Sequence, residues 1–437
     1  MATDPFHLAW FLQGSSIQAW GADWTGNISE EWMSADMFLD LARSIERAGF
    51  DYLLLEDSIY IGQNWQNARD IFLKNGMSVP RQEPSVIASL MMAATSRLGI
   101  VPTLSTFAYH PYLVARIVGT LDQVSAGRAG WNMVTGSSDL SGQNFGLDKL
   151  PEHDTRYEMA AEYIEIVTRL WDSWEPGAIV ADRKSGVLID PAKVHTIDYA
   201  GEYYKSRGPL NSGPCPQGRP VIAQAGGSAR GRAIAAKYAD TIVANAKGID
   251  AMKEYRADIR TQMAAYGRDP DTCKVLFLIS PVLGDTAEHA QERAAQRSVR
   301  AAQNIDVRLA QMGWSTNIDF SGHDLDAPVG ELTTNGHQSS LAQFVRKSGG
   351  KTLREAIISY SSSGGSVDLV GTPDQVAGQM GEVMQEVGGD GFLFSLPNVS
   401  RKSVVEITDG LVPALQQRGL VRKQYGCQQF RDNLLEF

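Results

Sequence analysis

The sequence predicts a (β/α)8 TIM barrel, an α/β fold of eight parallel strands, and three observations carry that expectation. Short apolar runs alternate with longer helical patterns along the chain, as they do in successive βαβ units. Eight such runs are present, more than the six of a doubly wound sheet built from two mononucleotide-binding halves. No GxGxxG follows the first of them.

In chain order the strands are expected at Phe6–Leu12, Asp51–Leu55, Leu98–Thr103, Arg128–Val134, Pro220–Gln224, Thr241–Ala244, Lys274–Ser280 and Gly391–Ser395. Helices are expected between them at Ala35–Ala48, Pro84–Thr95, Pro111–Val124, Asp154–Trp174, Ala229–Tyr238, Ala251–Tyr266, Ala287–Asn304 and Pro373–Val387. A further helix, Val404–Gln417, closes the chain. Gly49 stands where the first helix needs a residue of positive φ to end. Pro84 suits a first helical turn, where its missing N–H would have no partner anyway. Thr372 followed by Pro373 reads as N-cap and N1 of the last helix before strand 8.

Residues 1–437 are thus expected to form a single barrel domain with two insertions. The segment 175–219, after strand 4, is rich in glycine, proline and aromatics. The segment 304–371, after strand 7, mixes polar turns with a short helix near Leu341–Lys347 and the serine–glycine run Ser361–Gly365. Loops that follow barrel strands build the active-site face, so this second insertion is the expected lid.

Composition narrows the function. With 437 residues, 43% of them hydrophobic, the chain can bury a large core. A formal net charge of −10 and no basic cluster exclude nucleic acid as the expected partner. Cys215, Cys273 and Cys427 are far apart and odd in number, which fits neither a disulfide framework nor a metal site. No apolar run reaches the 18 or so residues of a membrane span and no signal peptide opens the chain, so a cytoplasmic location and no membrane partner are expected.

The strand ends hold the candidate chemistry. Strand 2 delivers Glu56 and Asp57, strand 3 Thr103 and then Tyr109 and His110, and strand 4 Asn132 with Thr135, Ser137 and Ser138 beyond it. His153 and Tyr157 lie one helical turn apart and face the same way. Strand 5 runs through Gly226, Gly227 and Ser228 straight into a helix. There the glycines let backbone amides approach a ligand, Ser228 can cap, and the helix N-terminus favours an anion such as phosphate, with Arg230 and Arg232 nearby. His110 and His153 are candidates for steering protons, because imidazole titrates near neutrality. Trp20, Trp24, Tyr60 and Trp65 suggest an aromatic-lined pocket, with Trp20, Tyr60 and Trp314 the candidate substrate contacts. Arg116, Arg128 and Arg156 suit either an acidic substrate or structural ion pairs.

Ordered motifs run almost end to end: residues 42–51 (ARSIERAGFD), 110–116 (HPYLVAR), 121–128 (LDQVSAGR), 131–135 (WNMVT), 216–220 (PQGRP) and 224–232 (QAGGSARGR). Through them the chain resembles the bacterial-luciferase-like flavin monooxygenases, in the branch of nitrilotriacetate monooxygenase component A and dibenzothiophene-sulfone monooxygenase. The resemblance implies a luciferase-type barrel that uses reduced FMN and O2 to oxygenate a small organic molecule, heteroaromatic, organosulfur or amine. It also implies a partner NAD(P)H:flavin reductase and a homodimer or homotetramer. By the same resemblance FMN contacts fall at Asp57, Thr103, Asn132, His153, Tyr157, Gly227 and Ser228, with the phosphate at Gly227, Ser228 and Tyr157. Where sulfone-cleaving relatives carry a pocket histidine in the second insertion, this chain reads Gln311-Met-Gly-Trp-Ser-Thr316, and the nearest histidine is His323. The alternatives are a deazaflavin-dependent oxidoreductase, or a non-catalytic flavin-binding protein, on the same barrel.

Overall fold

The computed structural model describes residues 4–13 and 33–437. Eight strands close into a parallel barrel: β1 (His7–Gln13), β2 (Tyr52–Glu56), β3 (Gly99–Ser105), β4 (Gly130–Val134), β5 (Val221–Gln224), β6 (Thr241–Ala244), β7 (Lys274–Ile279) and β8 (Gly391–Phe394). Each pairs with its sequence neighbours, and β1 closes the ring against β8 with His7 opposite Gly391 and Trp10 opposite Phe394. Every expected strand is found, with ends shifted by one or two residues.

The period-2 alternation of a strand sorts the side chains. Leu8, Trp10 and Leu12 point out into the strand–helix layer, while Ala9 joins Tyr52, Leu54, Val101, Ala223, Leu276 and Leu393 inside the barrel. The Tyr52 hydroxyl and Thr241 Oγ1, 3.0 Å apart, satisfy each other across that interior. The helices that pack outside are α1 (Asp36–Arg47), α2 (Pro84–Ala94), α3 (Pro111–Val124), α4 (His153–Trp171), α5 (Ala229–Tyr238) and α6 (Ile249–Ala265). After β7 come α7 (Ala287–Gln303), α8 (Ile305–Thr316), α9 (Gln338–Ser348), α10 (Leu353–Ser362) and α11 (Pro373–Val387). Gly49 takes φ +86° behind α1, and Thr372 and Gln375 form a capping box at α11 with Pro373 at its start.

Three local expectations need correction. The second insertion holds three helices rather than one, with α8, α9 and α10 sharing a small core of Leu309, Met312, Phe320, Phe344 and Ile357. Its polar outer faces hid that pattern in the sequence, where only the part near Leu341–Lys347 stood out. The closing helix is not continuous: Arg401–Val405 and Val412–Gln417 flank a π-helical turn, Glu406–Leu411. Pro413 has no N–H to return to the carbonyl four residues back, and a wider turn absorbs the lost bond. A last short helix, Phe430–Leu434, plugs the N-terminal mouth of the barrel. A Cβ on Gly99 would lie 2.6 Å from the Phe430 ring, so glycine at this strand start makes room for the plug.

Candidate active site

The opposite mouth, at the strand C-termini, gathers the polar residues. Asn132 on β4 donates from Nδ2 to Thr103 Oγ1 on β3 at 2.8 Å, and both side chains are buried. Asn132 Oδ1 is buried with no hydrogen-bond partner. Leaving such an atom unsatisfied costs about 1–3 kcal/mol, so a planar polar ligand that donates here would recover it.

Beside them a glycine turn opens a helix. Gly226 and Gly227 follow β5, and Ser228 caps α5 by accepting from Gly231 N at 3.1 Å. The Tyr157 hydroxyl faces Ser228 and Thr135. Burial raises the Tyr157 phenol above its usual value, although those hydrogen bonds and the Arg156 charge pull it back. His153 packs against Tyr157 with ring centroids 4.9 Å apart, and its Nδ1 lies 2.8 Å from Asp154 Oδ1. The two arginines expected to add charge are largely engaged: Arg232 pairs with Asp258 at 2.6 Å and bonds the Gly227 carbonyl, and Arg230 stands 3.8 Å from Asp154.

The second insertion roofs this mouth. Trp314 on α8 stacks on Tyr60 with centroids 5.7 Å apart, and the Tyr60 hydroxyl donates to the Trp314 carbonyl at 3.0 Å. Asn335 Oδ1 accepts from His153 N at 2.9 Å, and its carbonyl accepts from Arg156 Nη2 at 2.8 Å. Ser339, in the first turn of α9, presses on Gly227, where a Cβ would meet its hydroxyl at 2.4 Å. Between these points sits His337. Its side chain keeps open surface while the roof segments crowd around it. That enclosure lowers its pKa, with Glu56 opposing and Arg156 adding to the shift.

Beyond the ends of β2 and β3 a pocket of about 830 Å³ is lined by Asp57, Tyr60, Ile61, Val79, Arg81 and Tyr109. Arg81 and Glu56 form an ion pair at 2.6 Å whose angle is too bent for a hydrogen bond. Asp57 is not a helix cap; α2 is capped by Glu83. Burial pushes the Asp57 carboxyl up to about 7, against the pull of Arg81 and with help from Glu56 and Glu83. A carboxyl raised in the fold weakens stability as pH rises above its ordinary value of 3.8, and the whole cost is present above about 7. Asp57→Asn is therefore expected to raise Tm in the ligand-free protein by an amount that grows from pH 4 to 7 and then levels off. Thermal melts of both proteins across that range check it, and a pH-independent difference would contradict the assignment.

Several other residues are placed differently from the sequence reading. His110 is exposed and caps α3, accepting from Tyr112 N at 3.2 Å, which leaves it outside the enclosed part of the site. Arg128 is buried and bonds the carbonyls of Met92, Leu98 and Ser125, so it holds strand starts rather than a substrate. Arg116 is exposed on α3, and Arg156 ties α4 to the roof. His323 packs on Phe320 within the insertion, 5.3 Å between centroids. Trp20 and Trp24 lie outside the described residues. Asn335, His337 and Ser339 went unread because their partners are some 100 to 180 positions away. The Asn335-Gly336 turn ahead of a helical pattern was the available signal.

Comparison with known proteins agrees with this geometry. The family "Luciferase-like monooxygenase" matches residues 14–391. Dibenzothiophene-sulfone monooxygenase of Rhodococcus erythropolis (strain XP) is 35% identical over 98% of this chain and 96% of its own. N-acetyl-S-(2-succino)cysteine monooxygenase of Bacillus subtilis (strain 168) is 35% identical over 91% of this chain and 89% of its own. The crystal structure of a riboflavin lyase with modified FMN and riboflavin superposes with a TM-score of 0.89 at 31% identity, covering 99% of this chain and 96% of that one. Among the described residues no helix is long and apolar enough to cross a membrane. The barrel, the polar mouth and these likenesses together show an oxidoreductase: the chain belongs to the luciferase-like monooxygenase family.

Proposed function

We propose that the chain is the oxygenase of a two-component system, taking reduced FMN from a separate NAD(P)H:flavin reductase and oxygenating a small, largely apolar substrate with O2. The carrying observation is the cradle at the start of α5, where two glycines, the Ser228 cap and the Tyr157 hydroxyl converge at the strand mouth that also holds the unpartnered Asn132 Oδ1. These residues fit FMN. Gly227, Ser228 and Tyr157 would hold the phosphate at a helix N-terminus, with His153 beside them. Asp57, Thr103 and Asn132 would lie along the ring system. Bound reduced flavin supplies the electrons with which one oxygen atom enters the substrate and the other leaves as water.

The chain's own contribution is enclosure and proton placement. Tyr60, Trp314 and the roof from Asn335 to Ser339 shield the mouth from bulk water. Asp57, with its pKa near neutrality, can hold or release a proton at the pocket wall. The apolar lining from Ile61 and Val79, with Tyr60 and Trp314 above, suits a substrate with a hydrophobic body. An organosulfur compound is favoured because both sequence relatives described above are named for sulfur-containing substrates. The whole chain acting as one barrel domain, assembly as a homodimer or homotetramer, and work in the cytoplasm complete the proposal; the free cysteines suit a reducing compartment.

Anaerobic titration with reduced FMN, followed by rapid mixing with oxygenated buffer, tests this reading. Tight binding is expected, with reoxidation at a rate distinct from that of free flavin. Ser228→Ala and Tyr157→Phe are each expected to weaken FMN binding by roughly tenfold to a hundredfold, as the loss of one hydrogen bond to a charged group does. Riboflavin, which lacks the phosphate, should bind these variants and the parent alike. No binding of reduced FMN would sink the proposal.

A further inference from the structure

A second pocket lies where β6 turns into α6. Lys247 leaves the strand, Gly248 turns the chain with φ +90°, and α6 begins at Ile249 with no side chain capping its first turn. The serine–glycine run after α10 closes over this turn. Gly365 takes φ +106° and bridges to Ile279, and a Cβ there would stand 2.4 Å from the Leu278 carbonyl oxygen, so only glycine fits. Ser366 accepts from Gly248 N through its carbonyl at 2.8 Å. The pocket measures about 580 Å³, and its lining shares no residue with the flavin cradle.

Ser366 is 2% exposed, lines the pocket, and its hydroxyl has no hydrogen-bond partner. Lys247 Nζ donates to Ser363 Oγ at 3.2 Å and to the Gly365 carbonyl, which uses two of its three protons. Lys347, from the last turn of α9, brings a second ammonium to the same space. The carboxylates around it are partly engaged: Asp368 accepts from Gly364 N at 2.7 Å and Glu386 pairs with Lys253 at 2.7 Å, while Glu382 stands on the α11 wall.

We propose that this pocket is a second anion site, which takes the phosphate group of a small phosphorylated molecule between the α6 N-terminus, Lys247, Lys347 and the Ser366 hydroxyl. A helix start without a cap offers free N–H groups and a positive dipole end, and the two ammonium groups complete the match. The volume leaves room for more than inorganic phosphate. Burial first, and then Lys347, push Lys247 down to about 8, with Asp368 opposing. A bound dianion would restore its proton, so affinity should fall as pH rises through about 8.

The test reads Lys247 itself. Full-length protein is treated with trinitrobenzenesulfonate at pH 8 and constant ionic strength, and labelling of each lysine is followed by peptide mass spectrometry. Inorganic phosphate at about 10 mM is expected to slow labelling of Lys247 at least fivefold and to leave exposed Lys74 unchanged; pyrophosphate at equal concentration should protect as well or better. Lys347→Met and Ser366→Ala should each reduce that protection severalfold. Ser228→Ala, in the flavin cradle, should leave it intact, which separates this site from the flavin reading. Unchanged labelling in phosphate, or equal slowing by chloride, would overturn the proposal.

Discussion

Replacing Gly226 with alanine is expected to weaken FMN binding at least a hundredfold while leaving the barrel folded. A Cβ at this position would stand 2.7 Å from the backbone carbon and oxygen of Gly231 and 2.6 Å from Gln224 Oε1. The glutamine can move, but Gly231 is backbone in the first turn of α5 and cannot shift alone. Relief requires α5 to back away, and the Ser228 cap goes with it, because Ser228 Oγ accepts from Gly231 N. Tyr157 is disturbed too, since its hydroxyl lies only 3.0 Å from where a Gly231 Cβ would be. Losing two hydrogen bonds to a phosphate, each worth about 1.5–3 kcal/mol, corresponds to roughly a hundredfold or more in Kd. Fluorescence titration with FMN and with riboflavin, alongside circular dichroism, measures this. An FMN Kd within threefold of the parent would show that the turn does not carry the phosphate.

The second large effect lies at the other end of the barrel and concerns stability. Asp51, 1% exposed, accepts from His7 Nδ1 at 3.0 Å, Leu8 N at 3.1 Å and Arg422 Nη2 at 2.6 Å. Arg422 also donates to the Asn433 carbonyl, and the terminal Phe437 ring stacks on His7 with centroids 4.4 Å apart. The cluster thus ties β1, β2 and the C-terminal plug together. Burial alone would raise the Asp51 carboxyl, but His7, Arg422 and the hydrogen bonds outweigh it and hold the pKa below its ordinary 3.8. Arg422→Met leaves a buried carboxylate short of its cation, and about 3–5 kcal/mol of stability should be lost near neutral pH.

The sign of the pH dependence separates this cause from simple packing. A carboxyl depressed in the fold stabilises fully above its unfolded value, and that contribution fades as pH falls through the folded one. In Arg422→Met burial dominates and Asp51 prefers its proton. The gap between parent and variant should therefore narrow as pH falls towards 4. Urea unfolding at pH 7 and pH 4 measures both, and a gap of equal size at the two values would contradict the ionic account. Activity per folded molecule should change little, because the catalytic end of a barrel is the opposite face.

Much of this molecule was legible in the chain because its signals are local. Period-2 runs place Leu8, Trp10 and Leu12 on one face of β1 whatever lies elsewhere in sequence. Pro84, Thr372 and Gly49 mark helix ends through their own backbone preferences. The cradle at Gly226, Gly227 and Ser228 could be read for the same reason, since a glycine turn that opens a helix offers its amides by itself. Even the residues that join it, Tyr157 and His153, share one helical turn.

What the sequence left open depends on distant partners. The Asn335-Gly336 turn marks a helix start near His337 and Ser339 but not that they reach the mouth; the roof exists because α8, α9 and α10 bury their own small core and so fix where they lie. His110, read as a proton-steering candidate, became a helix cap, and Arg128, left open between an acidic substrate and a structural ion pair, became a clamp on the carbonyls of strand starts. Lys247 and the serine–glycine run, more than 100 positions apart, meet only because the end of β7 offers Gly365 a free strand edge. The sequence by itself determined the strands, the helix ends and the capped glycine turn before α5, because backbone preference and hydrophobic period act over a few residues. The tertiary structure alone decided which polar groups were enclosed together, because burial and charge depend on neighbours the chain brings in from far away.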